Sequence, residues 1–263
     1  MEVLRNNMII SDDCFLRSEL LSSHDAIGIF SLRHGGISPP PFNGLNLGSG
    51  LGDDEGNVAH NMDTLINAAS LPRTPHRAMQ VHGVDILVCQ GQGKTHRDRS
   101  DILIGVDGAA VAVRVADCVP VLLADPEAGV IAAVHAGWRG TITQAAIHAV
   151  KAMQQHGAKP EHILACIGPS IGPCCFEVDA TTANDLSQCC DGAHRFIHRV
   201  GNKAHANLAG INARQLKYAG ITQAHIEPMP ACTCCDEQRF YSWRRDGKQA
   251  GRHLAVVALP NAF

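Results

Sequence analysis

Short apolar, β-branched runs separated by polar turns fill the first half of the chain, and beyond residue 140 the apolar spacing lengthens to that of a helix. Strands are predicted at 27–31, 77–81 and 86–89. A longer apolar pair, 109–124 and 130–135, is interrupted by Asp125-Pro126-Glu127-Ala128-Gly129, whose proline and glycine predict a turn. Folded back as a hairpin, this pair brings Cys118 and His135 onto neighbouring strands. Thr141 then reads as the N-cap of a helix carried by Ile142, Ala145, Ala146, Ala149, Val150 and Met153 and stopped by Gly157. Further helices are predicted at 58–69, 179–188 and 207–218, and strands at 163–167 and 254–259. The Pro/Gly-rich stretch 35–52 reads as loop, and no polar linker of domain-separating length follows, so one domain over 1–263 is expected.

Composition narrows the partners. A chain of 263 residues, 45% hydrophobic, can bury a substantial core. Its 22 basic and 25 acidic residues, without a long basic run, give no electrostatic grip on nucleic acid or an anionic membrane. Small neutral or modestly anionic ligands fit better. No stretch reaches the roughly 18 apolar residues of a membrane span, and residues 1–13 lack a secretory h-region, so a cytoplasmic location is expected. Eleven cysteines cannot pair completely, and in such a chain they read as reduced thiols.

Candidate chemistry gathers at three motifs. His82 in Gln80-Val81-His82-Gly83, Cys118 in Ala116-Asp117-Cys118-Val119-Pro120 and His135 in Val134-His135-Ala136-Gly137-Trp138-Arg139-Gly140 offer two imidazoles and a thiolate, a set that suits zinc and leaves a fourth position open. Arg139, beside the predicted helix start, is placed to hold a phosphate or carboxylate. Taken singly, each residue has a plainer role: His82 as a structural histidine, Cys118 as a small buried hydrophobe, Asp117 as a loop cap and Trp138 as core. A second chemistry pairs the Cys118 thiolate with the His135 imidazole as nucleophile and base, with Asp117 or a backbone carbonyl orienting the ring.

Other motifs read more plainly. Gly93-Lys94-Thr95 has Val88 where a phosphate-binding loop needs glycine. The segment Gly48-Ser49-Gly50-Leu51-Gly52 reads as a loop that could border a pocket. Cys232 and Cys235 form a single Cys-x2-Cys pair, with Cys174-Cys175 elsewhere, so a second zinc site is not expected. His194 and His198, one helical turn apart, lack a third ligand and read as exposed.

The blocks around His82, Cys118 and His135 stand in one order with 167–173 (Ile-Gly-Pro-Ser-Ile-Gly-Pro) and 240–247 (Phe-Tyr-Ser-Trp-Arg-Arg-Asp-Gly), and with the early Leu45-Asn46-Leu47-Gly48 and Gly52-Asp53-Asp54. From about residue 30 to the end, the chain resembles the YfiH/laccase-domain family. The resemblance implies an α+β single domain, with mixed β-sheets packed in layers and flanking helices, and a metal held by His82, Cys118 and His135. It further implies a purine nucleoside phosphorylase with adenosine deaminase activity, acting on adenosine, inosine, guanosine or S-methyl-5′-thioadenosine with phosphate. Catalytic roles then fall to Cys118, Asp117 and Arg139, and substrate contacts to Arg33, Asn46, Gln80 and Arg244, with Arg245 a further anion partner. Zinc is the expected metal, with copper able to displace it in vitro. The older name of the family, laccase, is disfavoured: none of the 15 histidines stands two positions from another, as the His-x-His pairs of a copper cluster require. Two alternatives stay open: a Cys-His hydrolase or deamidase built on Cys118 and His135, and a cell-wall fidelity role. Two departures stand out: Asn61-Met62 where members commonly show Asn-Arg, and Asn207-Leu208 where Asp-Leu is usual.

Overall fold

A computed structural model describes residues 10–11, 14–201 and 203–260. The reading of the amino terminus therefore falls outside the described residues, apart from the short strand Ile10–Ser11. Among the described residues no helix is long and apolar enough to cross a membrane.

Two sheets form the centre. One has six strands in the order Ile226–Pro228, Leu164–Ile167, Val119–Asp125, Val130–Ala136, Ile102–Val106, Ile86–Gln90. The other has five, in the order Ile10–Ser11, Phe15–Arg17, Ile27–Ser31, His253–Ala258, Val111–Val115. Side-chain parity explains how they stack, because successive residues of a strand face opposite sides. Val119, Val121, Leu123, Ala132 and Val134 face the helices Ala145–Gln155 and Leu208–Tyr218 in one apolar cluster. Their neighbours Leu122, Ala124, Ile131 and Ala133 turn the other way and meet Val111, Val113, Ala255 and Val257 of the five-stranded sheet. On the far side of that sheet, Ile29, Ala112, Leu254 and Val256 bury Met62 and Leu65 of the helix Glu55–Ala68. The layers run helix, sheet, sheet, helix, and the central strands Val119–Asp125, Val130–Ala136 and His253–Ala258 are buried on both faces. This is the α+β class with mixed sheets in layers that the resemblance implies.

Several predicted elements are resized for physical reasons. The continuous apolar run 109–124 is two strands, Val111–Val115 and Val119–Asp125, lying in different sheets. A strand buried on both faces has no alternation to mark its end, and the break is made by Asp117, whose φ of 86° turns the chain without glycine or proline. The helix predicted from Thr141 is also two, Trp138–Ile142 and Ala145–Gln155, with Gln144 left-handed at φ 61° between them. Thr141 is therefore no cap but a fully buried residue of the first segment, and its hydroxyl accepts from the Asn212 amide at 2.9 Å. The predicted strand 77–81 ends at Met79. His194 and His198 do not share a helix: His194 lies in the short turn Ala193–Phe196, and His198 on the strand Ile197–Val200.

Candidate functional site

The site grows out of the crossing between the two sheets. In the hairpin of Val119–Asp125 and Val130–Ala136, His135 pairs with Pro120 and Ala136 with Val119. Cys118, one residue before its strand, is thus set beside the end of the neighbouring strand. His82 comes from the loop after Arg77–Met79, in a left-handed conformation with φ 62°. The ligand atoms of His82, Cys118 and His135 lie within 4.8 Å of one another, and the two imidazoles meet edge to face with centroids 4.8 Å apart. Gly137 makes the convergence sterically feasible: a Cβ there would stand 2.9 Å from Cys118 Sγ and 3.2 Å from His82 Cδ2.

A residue that the sequence reading passed over organises the cluster. Asp101, fully buried, contacts Nδ1 of His135 at 2.7 Å and accepts the backbone N–H groups of Val81, His82 and Gly83 at 3.0, 3.0 and 2.8 Å. One carboxylate therefore turns Nε2 of His135 toward Cys118 and fixes the loop that carries His82, the second-layer arrangement familiar around histidine ligands. Asp101, and not Asp117, orients the imidazole. Burial opposes the charged forms of both partners, but the His135 charge and hydrogen bonds from both histidines bring the Cys118 thiol down to about 6. The Cys118 charge and the Asp101 contact hold His135 up at about 9. A thiolate with two convergent imidazoles is a donor set that fits a borderline-soft divalent metal.

The cluster opens into a cavity of about 680 Å³. Arg114, Arg139, Arg244 and Arg252 line it, with the rings of Trp138, Phe176 and Trp243, and Ser49 and Leu51 of the glycine-rich loop border it. Burial pulls the Arg114 and Arg252 guanidiniums below their usual range, and the Arg114 charge adds to the depression at Arg252. Arginine stays charged in proteins, so an anion entering here would relieve a repulsion already present. Arg139 lies over the Trp138 ring at 4.2 Å.

The remaining site candidates divide. Gln80 reaches the cavity wall but engages its amide with the backbone of Arg114, at 2.7 and 2.8 Å. Asp117 accepts from Thr233 Oγ1 at 2.6 Å, Ser242 Oγ at 3.0 Å and the Arg244 N–H at 2.6 Å, which ties three segments together under the cavity floor. Arg244 keeps its backbone on Asp117 and gives its guanidinium to the carbonyls of Cys175 and Glu177 at 2.9 and 3.1 Å. Arg33 and Asn46 lie outside the cavity wall. Arg33 donates to the Glu237 carbonyl at 2.8 Å and covers the Tyr241 ring, while fully buried Asn46 bonds Asp53 and the N–H groups of Gly48 and Arg252. Arg245 is absorbed by the carbonyls of Thr233, Cys234 and Phe240 and by Asp246. These three residues hold loops together. The two departures are structural as well: Met62 fills the third core cluster, and Asn207 caps a helix through Oδ1 and the Gly210 N–H at 2.9 Å.

Gly137 and Trp243 stand in the quoted motifs without a role of their own, and Asp101, Arg114, Phe176 and Arg252 were not singled out from sequence. The only available signal was positional: Asp101 immediately precedes the apolar run Ile102–Val106, and Arg114 is a lone charge inside an apolar one.

Fold and site together define a layered α+β protein with a His/Cys metal-type cluster sunk in an arginine-lined cavity. The chain belongs to the family described as multi-copper polyphenol oxidoreductase laccase, whose model matches residues 27–260. A purine nucleoside phosphorylase of Deinococcus radiodurans is 38% identical over 88% of each chain. Purine nucleoside phosphorylase YfiH of Escherichia coli is 34% identical over 87% of this chain and 92% of its own. Among solved structures, YlmD of Geobacillus stearothermophilus superposes with TM-score 0.87 at 30% identity, covering 97% of this chain and 99% of that one. The YfiH protein of Bacillus licheniformis also gives 0.87, at 27% identity over 97% and 100% of the two chains.

Proposed function

We propose that the chain is a metal-dependent purine nucleoside phosphorylase, converting a nucleoside such as adenosine, inosine, guanosine or S-methyl-5′-thioadenosine and phosphate to the free base and ribose 1-phosphate or its thio analogue. One juxtaposition carries the reading: a His82-Cys118-His135 cluster and four arginines share one cavity of about 680 Å³ with three aromatic rings. That volume suits a small ligand of nucleoside size together with phosphate, and the relatives named above carry the same activity in their names.

His82, Cys118 and His135 would hold the metal, zinc foremost, and the metal would supply Lewis acidity to the bound substrate. Arg139 and Arg114, assisted by Arg252, receive the phosphate by charge-assisted hydrogen bonds. Trp138, Phe176 and Trp243 offer faces and edges for the purine. A phosphate oxygen bonds to C1′ as the C1′–N9 bond breaks, and the bonding pair leaves with the purine, which takes up a proton. Asp117 acts by position: its three hydrogen bonds fix the loop that presents Cys118 and the segment that presents Arg244.

Deamination of adenosine is a weaker reading of the same cavity. Zinc deaminases use a free carboxylate for proton transfer, whereas the carboxylate in this wall, Asp117, already accepts from three donors. A specific observation supports a second class: Cys118, His135 and Asp101 form a thiol, imidazole and carboxylate series of the kind found in cysteine hydrolases. Chromatography of adenosine incubated with metal-loaded protein and phosphate separates these readings. Adenine with ribose 1-phosphate, lost in His82→Ala and on chelation, is the expected result, and inosine would add deamination. A protein that makes neither, withstands chelators and loses a hydrolase activity on alkylation alone would replace the nucleoside reading with the hydrolase.

A further inference from the structure

Four cysteines with no part in that chemistry converge at the surface behind the cavity wall. The strands Leu164–Ile167 and Ile226–Pro228 are parallel neighbours at one edge of the six-stranded sheet. Their outgoing loops leave the sheet together, joined by a bridge between Ser170 and Cys232. This brings Cys174 and Cys175 of one loop against Cys232 and Cys235 of the other, although some 60 residues separate the pairs.

The four sulfurs all lie within 4.8 Å of one another, with Cys235 Sγ at 3.5 Å from Cys174 Sγ and 3.3 Å from Cys175 Sγ. A tetrahedral zinc with Zn–S bonds of about 2.3 Å sets its sulfurs about 3.8 Å apart. The cluster is already near that spacing, while a disulfide needs about 2.05 Å and all four cysteines are free. Gly172 completes the cradle: its N–H donates to Cys232 Sγ at 3.2 Å, and a Cβ there would stand 3.2 Å from Cys174 Sγ. The sequence offers only one Cys-x2-Cys pair, and the fold supplies the second pair as adjacent residues.

We propose that Cys174, Cys175, Cys232 and Cys235 form a second metal centre, a structural tetrathiolate site for a thiophilic divalent cation, zinc foremost. Binding releases the thiol protons to solvent and moves no electrons. The centre ties together two loops that build the cavity: Phe176 follows Cys175 into the wall, the Cys175 carbonyl accepts from Arg244, and Thr233 donates to Asp117. The site thus braces the wall from outside and leaves the His82 cluster free for chemistry.

Metal content per chain, measured by plasma mass spectrometry on full-length protein purified with reductant and loaded with zinc, tests this without reference to any activity. Two equivalents are expected in the wild type and in Cys190→Ser, and one each in His82→Ala and in Cys232→Ser/Cys235→Ser. Cobalt loaded into His82→Ala should give the thiolate-to-metal charge-transfer bands of an all-sulfur site. If the double serine variant fails to fold, maleimide labelling of His82→Ala decides: zinc should protect these four thiols, and a chelator should expose them together. His82→Ala protein that binds no zinc, or a Cys174–Cys235 or Cys175–Cys235 disulfide in the reductant-purified chain, would overturn the proposal. Because the readouts are metal and thiols, an inactive protein with two bound zinc ions would sink the nucleoside reading and leave this one standing.

Discussion

Gly137 is a glycine because two ligands press on the place its side chain would take. Alanine there must displace Cys118 Sγ or the His82 ring, so Gly137→Ala should weaken zinc binding by at least about tenfold, the range of supporting-residue substitutions. Chelator competition reads this, while the thermal midpoint should stay within a few degrees. Cys118 makes a sharper case. Burial alone would raise its thiol, yet His135 and His82 bring it to about 6. Alkylation of the metal-free protein by iodoacetamide should therefore rise through a midpoint near pH 6 and be suppressed by zinc. Asp101→Asn, which removes the contact that, after the Cys118 charge, holds His135 charged, should move that midpoint upward; an unchanged midpoint would remove Asp101 from the account. Of these residues, His82, Cys118, His135 and Arg139 were legible in sequence because their types carry their chemistry. Asp101 and Gly137 were not, since their roles consist of what lies across a gap in space.

At the scale of elements, sequence pattern serves best where one face is wet. The helices Glu55–Ala68, Ala180–Gln188 and Leu208–Tyr218 emerge within a few residues of their predicted bounds because an exposed face preserves the period. The run 109–124 misleads because its strands are buried on both faces, and two strands of a small three-stranded sheet, Glu177–Val178 at its edge and Lys203–Ala206 at its centre, are too short and polar to register. The helix entered at Leu208 supplies a test of one departure from the family pattern. Asn207 caps it through its side-chain oxygen, so Asn207→Ala should cost about 1 kcal/mol in urea denaturation, whereas aspartate, an equally good cap, should change stability by only a few tenths. A loss of activity without loss of stability in Asn207→Asp would show that the departure touches substrate after all.

The whole molecule carries its own pH signature. His253, the first residue of a strand of the five-stranded sheet and buried against Tyr241, accepts the Tyr241 N–H at 2.7 Å, and burial together with the Arg33 charge pushes its imidazole down to about 3. A histidine held neutral in the fold but free to protonate near 6.5 when unfolded contributes stability that is complete above pH 6.5 and lost as pH falls toward 3. The folding constant should drop by about tenfold per pH unit from this group alone. Urea midpoints at pH 7 and pH 5 should converge in His253→Gln, where the amide oxygen still accepts from Tyr241; equal slopes in both proteins would show that other groups set the acid limit.

The central claim is that the His/Cys cluster and the arginines around it act as one site on a nucleoside and phosphate. Phosphorus NMR of zinc-loaded protein with inosine and inorganic phosphate tests it most directly, because the signal distinguishes transfer to phosphate from transfer to water. A sugar phosphate resonance should grow as inorganic phosphate falls, in step with hypoxanthine release, be lost in His82→Ala, and require several-fold more phosphate in Arg139→Met. Base released with no change in the phosphate signal, or a rate indifferent to both substitutions, would contradict the account.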